Sequence, residues 1–409
     1  MVTIDPDQSV MNGMFSYTRR TLLRTASIAG LLSICLPRAS LAQFSKLKIG
    51  LMLPYTGTFA PLGVAISNGF RLALSEQDGN LGGREIEIVS IDDESDPAKA
   101  ADRANQLVSR DKVDVIVGTV HSGVQMGIIK IARDTGVLNI IPNAGVEAAT
   151  GVLCSGNVFR ASFSNGQPAF PLGKIVADRG LKNVVTLAWK YGAGEESVAG
   201  FKDSFLKAGG KILKELWIPF PNVEFQSLLT EIASIKPQAV YVFFAGGGAA
   251  KFLKDWQAAG LKGKIPLFST FLTDGVLEAV GDAAEGIETA LHYGDGLDTP
   301  RNRAFQLAYA KAFKLQPDVY AVQGYDSGLL LGIGLRAVKG DLKQRKALIA
   351  ALENAEIDSP RGKWRMSRAH NPIQDIYLRK VIGRENKVIS VAAKGLDYPS
   401  ALTCKLLPL

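Results

Sequence analysis

The stretch that decides the fold is VDVIVGTVHSGVQMGIIKIARDTGVLNII, residues 113–141. It begins with the almost continuous apolar run Val113–Gly118, which is typical of a parallel strand covered on both faces. A helical segment follows from Gly123 to Thr135 and is ended by Gly136, and a second apolar run, Val137–Ile141, comes directly after it. A strand, a helix and another strand in this order predict a parallel βαβ unit with a right-handed crossover.

The same alternation continues on both sides of this unit. Further strands are predicted at Leu47–Pro54, Ile86–Asp92, Val184–Trp189 and Ala239–Phe244. Further helices are predicted at Gly63–Glu76, from an N-cap at Asp96 with Pro97 at the first helical position, at Glu195–Ala208 and at Ala249–Ala259. So many units in a chain of 409 residues favour an α/β protein of two doubly wound lobes over one built on a single sheet.

The first 42 residues have the features of an export signal. Arg19 and Arg20 precede an apolar core from Ala26 to Leu36, and the small residue Ala42 suits a cleavage site. Adjacent arginines are typical of the twin-arginine type, which carries folded proteins out of bacteria; a leader for unfolded export with two arginines by chance is the alternative. We therefore expect a periplasmic protein cleaved after Ala42.

Charge and cysteine content exclude other classes of protein. The net charge of +8 is spread over single Lys and Arg residues without a block of five or six like charges, so we expect no nucleic-acid partner. Cys154 and Cys404 are the two cysteines left after cleavage, too few for the disulfide framework of a small secreted domain. They could form one bridge, but the sequence does not show their separation.

Five loops follow predicted strands at the sheet edge where open α/β folds bind ligands. They are Tyr55–Gly63, Thr119–Gly123, Asn143–Glu147, Tyr191–Glu195 and Ala245–Gly248. In the second loop Ser122 could cap the following helix and also help its N-terminal amides to hold an anion; a cap without a ligand is the alternative. Tyr191, Phe244 and Phe271 fall at or just past strand ends. Each alone is more typical of the core, but three aromatic residues in equivalent places favour the wall of a crevice.

The motifs that could carry catalysis or bind a cofactor are incomplete. His121 and Ser122 are neighbours, which does not place an imidazole on a hydroxyl, and Val120 stands where a nucleophile elbow needs glycine. The acidic run 92–96 lacks the glycine and ligand spacing of a calcium loop. The segment 192–197 departs from the dinucleotide fingerprint and places two acids at a helix start. We therefore expect no enzymatic activity, no cofactor and no metal.

Several short motifs together carry a resemblance to a known family. They are LPYTG at 53–57, NLGGREIEIV at 80–89, DDESDP at 92–97, VDVIVG at 113–118, YG at 191–192 and GDAAEG at 281–286. With them the chain resembles, from about Lys46 to about Leu396, the leucine/isoleucine/valine-binding family of periplasmic solute-binding proteins. The resemblance implies a type I binding-protein fold, in which two doubly wound α/β lobes joined by three hinge crossovers clamp a ligand between them.

The resemblance also implies the domain limits and the partners. Lobe I would comprise residues 46–163 and 292–365, and lobe II residues 164–291 and 366–400. The protein would be a monomer that delivers its ligand to an inner-membrane ABC permease and its ATPase subunits.

Carried over residue by residue, the resemblance assigns a carboxylate site. The family's carboxylate-binding serine falls on Ser122, and its second carboxylate loop falls on Asn143–Gly145, where Gly145 replaces a threonine. The family's aromatic lid falls on Tyr191. Two departures concern the rest of the ligand: Thr270 stands in place of the glutamate that binds an ammonium group, and Gly246 or Gly247 in place of a second tyrosine.

These departures favour an aromatic acid over an amino acid. An ammonium group buried without a carboxylate partner costs on the order of several kcal/mol, and segments 145–154 and 159–164 resemble the branch that binds benzoates and hydroxycinnamates. We predict a small aromatic carboxylate as the ligand. The alternatives are a branched-chain amino acid or amide binder, an exported α/β enzyme, and a periplasmic sensor lobe for a receptor. The predicted ligand-binding residues are Leu62, His121, Ser122, Asn143, Ala144, Gly145, Tyr191, Phe244, Gly246, Thr270 and Phe271.

Overall fold

The computed structural model of the protein describes residues 45–398 and 403–406. The predicted export signal, residues 1–42, lies outside the described residues. Within the described part of the chain no helix is both long and apolar enough to cross a membrane.

The described residues form fifteen strands and eleven α-helices. The strands are β1 (Leu47–Leu53), β2 (Asn80–Leu81), β3 (Arg84–Asp92), β4 (Val115–Gly118), β5 (Leu138–Ile141), β6 (Val158–Arg160), β7 (Asn183–Lys190), β8 (Lys211–Pro219), β9 (Ala239–Phe243), β10 (Leu267–Ser269), β11 (Glu288–Leu291), β12 (Glu356–Ser359), β13 (Gly362–Met366), β14 (Pro372–Ile382) and β15 (Glu385–Leu396). The helices are α1 (Ala60–Ser75), α2 (Pro97–Asn105), α3 (Ser122–Thr135), α4 (Gly166–Asp178), α5 (Gly192–Lys207), α6 (Gln226–Ile235), α7 (Gly246–Ala258), α8 (Leu277–Val280), α9 (Pro300–Phe313), α10 (Val319–Ala337) and α11 (Arg345–Glu353).

The first sheet has six strands in the order β2-β3-β1-β4-β5-β6. Its strands are parallel except for the short β2, which pairs antiparallel with β3. The predicted βαβ unit is confirmed: β4 and β5 pair in parallel, with Val115 opposite Leu138, and α3 lies between them in the chain. All residues of β4 and β5 are buried, as expected for strands covered by helices on both faces.

The second sheet has nine strands in the order β12-β13-β14-β11-β10-β9-β7-β8, with β15 added on β14. Its centre, β8-β7-β9-β10-β11, is parallel, whereas β12 to β15 pair antiparallel. The two sheets lie in one compact unit of the chain. The α/β fold with two lobes is therefore confirmed, and the exact lobe limits stay a prediction.

The chain passes between the two sheets three times. It leaves the first sheet after β6, leaves the second after β11 to form α9, α10 and α11, and returns through β12. In the second passage α10 packs closely on α1, which follows the first strand of the first sheet. A Cβ atom added to Gly69 would lie 1.9 Å from the Ala321 carbonyl oxygen, and one added to Gly324 would lie 2.0 Å from the Ile66 carbonyl oxygen. The two helix backbones therefore touch at two glycines.

Helix starts confirm one capping prediction and correct another. The Asp96 carboxylate accepts a hydrogen bond from the Ala98 backbone N–H at 2.9 Å, as predicted for an N-cap. Ser122, in contrast, is the first residue of α3, and its cap is His121, whose Nδ1 accepts from the Gly123 N–H at 3.0 Å. The backbone of His121 is extended, with φ −75° and ψ 124°, so the capping role falls to the imidazole and the Ser122 hydroxyl is available for other contacts.

Two further links join segments that are far apart in the chain. Cys154 and Cys404 form a disulfide, with their Cα atoms 5.6 Å apart, which settles the pairing that the sequence left open. In the second sheet Arg379 forms a two-pronged ion pair with Asp274, both distances being 2.8 Å, and both side chains are fully buried.

Candidate functional site

A cavity lies where the carboxyl ends of the two sheets face each other. The space that no atom occupies there is about 310 Å³, part of which is open to solvent, so the cavity is a narrow cleft between the two sheets. Both sheets contribute side chains to it. The lining residues are Phe59, Leu62, Val120, Asn143, Gly145, Phe163, Asn165, Tyr191, Ala193, Phe243, Ala245, Phe271 and Tyr320. Aromatic and aliphatic groups dominate this set, and two amides and two phenols supply its polar side-chain groups.

A hydrogen-bond chain links the start of α3 to the start of α5. The Asn165 amide donates to the Ser122 hydroxyl at 3.2 Å and to the Glu196 carboxylate at 2.6 Å. Because the Ser122 oxygen accepts in this bond, its own O–H remains free to donate. Ser122 is almost fully buried. A hydroxyl held in this way, beside a cavity, can donate to an anionic ligand.

Glu196, in α5, connects Asn165 with the segment around Glu147. Its carboxylate accepts from the Glu147 backbone N–H at 3.1 and 3.2 Å, while the Glu147 carboxylate accepts from the Gly166 N–H at 3.2 Å. Burial raises the pKa of Glu196 to about 7, and the nearby Glu147 carboxylate adds to this, against the lowering effect of the Asn165 hydrogen bond. Burial also raises the pKa of Glu147. Both acids are thus shifted toward their neutral forms at this junction.

An aromatic stack closes one side of the cavity. The rings of His121 and Tyr191 are stacked with centroids 4.8 Å apart, and Phe220 packs on both rings at 4.9 and 5.1 Å. Burial lowers the pKa of His121 to about 4, so the imidazole is neutral at neutral pH. Its Nδ1 accepts from backbone N–H groups, which places the proton on Nε2. His121 therefore acts as a cap and a stacking surface here, and its Nδ1 does not serve as a base for Ser122.

The opposite wall is built from rings of the second sheet, the first crossover and α10. Phe271 contacts Phe163 at 4.7 Å and lies nearly parallel to Tyr320 at 6.1 Å between centroids. The Asn143 side chain is held in position by α10, because its amide N–H donates to the Gln323 side-chain oxygen at 2.7 Å. A Cβ atom on Gly145 would lie only 2.2 Å from the Asn165 Oδ1. The glycine that replaces the family threonine thus makes room for Asn165 inside the site.

The structure brings most of the predicted site residues to this cavity. Five of them line it directly: Leu62, Asn143, Gly145, Tyr191 and Phe271. His121 stacks on Tyr191, and Ser122 is reached through Asn165. Gly246, at the start of α7, lies against the loop before α1, where its added Cβ would be 2.7 Å from the Thr58 carbonyl oxygen. That contact joins the two sides of the cleft.

Three predicted residues have other surroundings than expected. The Ala144 N–H donates to the Thr119 carbonyl at 2.9 Å, so this amide already has a partner within the protein. The Phe244 ring packs on Trp189, Phe225 and Phe252 in the core, because successive side chains of a strand point to opposite faces; Phe243 lines the cavity in its place. Thr270 is fully buried, and its carbonyl accepts from Arg379 at 3.2 Å.

Sequence reasoning missed several residues of the site. Asn165, Phe163, Phe243, Glu196 and Tyr320 were not predicted, although all five line the cavity or bond to its lining. For Phe243 the two-residue period of the strand was an available signal. Asn165 and Tyr320 lie in the crossover and in α10, far along the chain from the loops that meet them, and no local pattern marks them.

Comparison with known proteins identifies the family of the chain. The model of the family described as periplasmic binding protein matches residues 46–386. The chain belongs to the periplasmic binding protein family. Leu/Ile/Val-binding protein homolog 6 of Brucella abortus is 28% identical over 351 residues, which cover 84% of this chain and 89% of the relative. The predicted family is therefore confirmed.

Solved structures of solute-binding proteins of ABC transporters are similar along nearly the whole chain. One from R. palustris, in complex with benzoate, is 50% identical with a TM-score of 0.86 and covers 88% of this chain and 100% of its own. Another, from Rhodopseudomonas palustris BisB5 with 3,4-dihydroxybenzoic acid, is 31% identical with a TM-score of 0.82, covering 87% and 99%. The type I fold is thus confirmed, and the chain is a substrate-binding protein of the ABC-transporter class.

Proposed function

We propose that this protein binds a small aromatic carboxylate, of the benzoate or hydroxycinnamate type, between its two lobes and delivers it to an ABC permease. The observation that carries this proposal is the composition of the cavity. Rings and aliphatic side chains from both sheets surround it, and none of its lining residues is acidic or basic. An aromatic ring would gain apolar contact with Phe163, Phe271 and Tyr191.

We assign the carboxylate group to Ser122, which bonds the lining residue Asn165 and is not itself part of the lining. The Ser122 hydroxyl is held by Asn165 with its proton free, and it lies at the first turn of α3, whose dipole favours an anion. A buried ammonium group, in contrast, has no acid available. Thr270 replaces the family glutamate, and the nearby Glu196 accepts hydrogen bonds from Asn165 and Glu147 and is not part of the lining.

The similar structures with bound aromatic acids support the proposal, and the curated relatives support the alternative. The relatives are Leu/Ile/Val-binding proteins or their homologues, 26–28% identical. A branched-chain amino acid or amide as ligand is therefore the second candidate. The side-chain N–H groups of Asn143 and Asn165 are bonded within the protein, so the polar nitrogen group of such a ligand would have neutral amide oxygens, and no carboxylate of the lining, as its acceptors.

The remaining parts of the proposal concern the setting of this activity. We propose that residues 1–42 route the precursor through the twin-arginine pathway, with cleavage after Ala42 and a periplasmic product. The mature protein would be a monomer without enzymatic activity, cofactor, metal or nucleic-acid partner, and would close by movement of the two lobes about the three crossovers.

Calorimetry on ligand-stripped protein tests the ligand class. We expect benzoate or 4-coumarate to bind with micromolar or lower Kd, and leucine to bind at least about a hundredfold more weakly, since a missing ammonium partner costs several kcal/mol. Ser122→Ala should weaken aromatic-acid binding about tenfold or more, because it removes a hydrogen bond to a charged group. Tyr191→Ala should weaken it comparably through lost ring contact.

Ser109→Ala is the matched control, because Ser109 is exposed and its hydroxyl bonds Asn105 in the segment that follows α2. It should bind like the wild type. Tight leucine binding without any response to aromatic acids would contradict the proposed ligand. Unchanged affinity in both Ser122→Ala and Tyr191→Ala, with normal folding, would show that the ligand binds elsewhere.

A further inference from the structure

One fully buried polar group of the cavity wall has no hydrogen-bond partner among the described residues. Tyr320 lies in the first turn of α10, is 1% exposed and lines the cavity. Its hydroxyl makes no hydrogen bond within the described part of the chain. Both amides of the wall donate within the protein, Asn143 to Gln323 and Asn165 to Ser122 and Glu196. The second phenol, Tyr191, is only partly buried.

A buried hydroxyl without a partner is unusual. Nearly all buried polar atoms in proteins are hydrogen-bonded, and leaving one unpaired lowers stability. When such an atom lies in the wall of a ligand cavity, the missing partner is one that the occupant supplies. The rest of the Tyr320 ring is packed in place, since it lies nearly parallel to the Phe271 ring at 6.1 Å, so the hydroxyl is presented from a fixed position.

The surroundings of this hydroxyl decide which ligand group suits it. Burial raises the pKa of Tyr320 well above its ordinary value, and the carboxylates of Asp274 and Asp318 raise it further against the opposing effect of Arg379. The phenol therefore stays protonated and can donate. A ring-hydroxyl oxygen can accept the hydrogen bond that this phenol donates, while the Ser122 hydroxyl is the donor assigned to the carboxylate.

We infer that the ligand carries a hydroxyl group on its aromatic ring in addition to the carboxylate, and that the Tyr320 hydroxyl is the hydrogen-bond partner of that group. The inference rests on the proposed function and narrows it from aromatic acids to hydroxylated ones. Ser122 then receives the carboxylate and Tyr320 the ring hydroxyl. A ring without the hydroxyl would leave Tyr320 unpaired, and sites built to bond a hydroxyl discriminate strongly against analogues that lack it.

The test compares benzoate with 3-hydroxybenzoate and 4-hydroxybenzoate by calorimetry on the mature protein and on Tyr320→Phe. We expect at least one hydroxylated acid to bind the wild type about tenfold or more tightly than benzoate. Tyr320→Phe should reduce that ratio to about threefold or less, because it removes the hydroxyl that bonds the ring hydroxyl of the ligand. The variant should fold normally, since no internal hydrogen bond is lost.

Tyr309→Phe is the matched control. Tyr309 is equally buried, lies in α9 and is not part of the cavity lining, so the ratio of affinities should match that of the wild type. Two results would overturn the inference: benzoate binding as tightly as both hydroxylated acids, or an unchanged ratio in Tyr320→Phe. If no aromatic acid binds at all, the proposed function fails, and this inference fails with it.

Discussion

Replacing Glu196 by glutamine should change how the stability of the protein depends on pH. Burial raises the pKa of this carboxyl from its ordinary 4.5 to about 7 in the folded protein. In the unfolded chain the group is solvated and returns to its ordinary value. The raised pKa means that folding favours the protonated form, so the contribution of Glu196 is fully present below about pH 4.5 and is lost as pH rises through about 7.

The size of the effect follows from the same two values. A tenfold change in proton affinity corresponds to about 1.4 kcal/mol, so ionised Glu196 lowers the free energy of unfolding by at most about 3 kcal/mol above pH 8. Glu196→Gln cannot ionise and keeps an oxygen that can accept from Glu147 or Asn165. The free energy of unfolding of the variant, minus that of the wild type, should therefore rise by about 2–3 kcal/mol between pH 4.5 and 8. Any pH-independent effect of the substitution adds the same amount at every pH and does not change this rise.

Urea unfolding of wild type and variant at half-unit steps from pH 4.5 to 8.5 measures this difference. Other buried acids, including Asp93 and Asp318 with pKa values raised to about 6 and 7, contribute to the pH dependence of both proteins and cancel in the difference. Glu195→Gln is the matched control, because Glu195 is the exposed neighbour on the same helix turn, and its curve should follow that of the wild type. A Glu196→Gln difference that does not vary with pH would refute the reasoning.

Two further predictions concern links within the fold. Asp274→Asn should lower the free energy of unfolding, measured with urea, by roughly 3–5 kcal/mol, because it leaves the buried Arg379 without its counter-charge. Asp134→Asn is the control: it breaks an exposed pair with Lys130 and should lower the same free energy by about 1 kcal/mol or less. The double variant Cys154→Ser/Cys404→Ser should lose roughly 2–5 kcal/mol through release of a long loop; in thermal scans a reductant should lower the Tm of the wild type and leave that of the double variant unchanged.

Much of the parallel core could be predicted from the sequence. The apolar runs that became β1, β4, β5, β7 and β9 end within about two residues of their predicted limits, because buried parallel strands need continuous apolar side chains. The starts of α5 and α7 were predicted three residues late, since both helices begin in glycines, Gly192 and Gly246, that a helix pattern does not include. The antiparallel addition β12–β15 was not predicted, because much of β15 is exposed and its sequence is mixed.

The candidate site was predictable where it follows strands and unpredictable where distant segments meet. The segments that follow β1, β5 and β7 supply Leu62, Asn143, Gly145 and Tyr191, all recognised from their position after strand ends or from the family resemblance. The partner of Ser122 is Asn165, 43 residues further along the chain, and such pairings depend on how the lobes are joined. The unpaired hydroxyl of Tyr320 is likewise a property of packing that a one-dimensional pattern does not contain.

The glycine contacts between α1 and α10 bear on how binding specificity can change in evolution or by design. Gly69 and Gly324 leave no space for even a methyl group between the two backbones, so neither helix can shift relative to the other without losing this fit. Leu62 lies near the start of α1 and Tyr320 near the start of α10, and these two lining residues are therefore held at a fixed spacing. New ligands would be accommodated by exchanging these two side chains on an unchanged frame, which makes positions 62 and 320 the first choice for a combinatorial library.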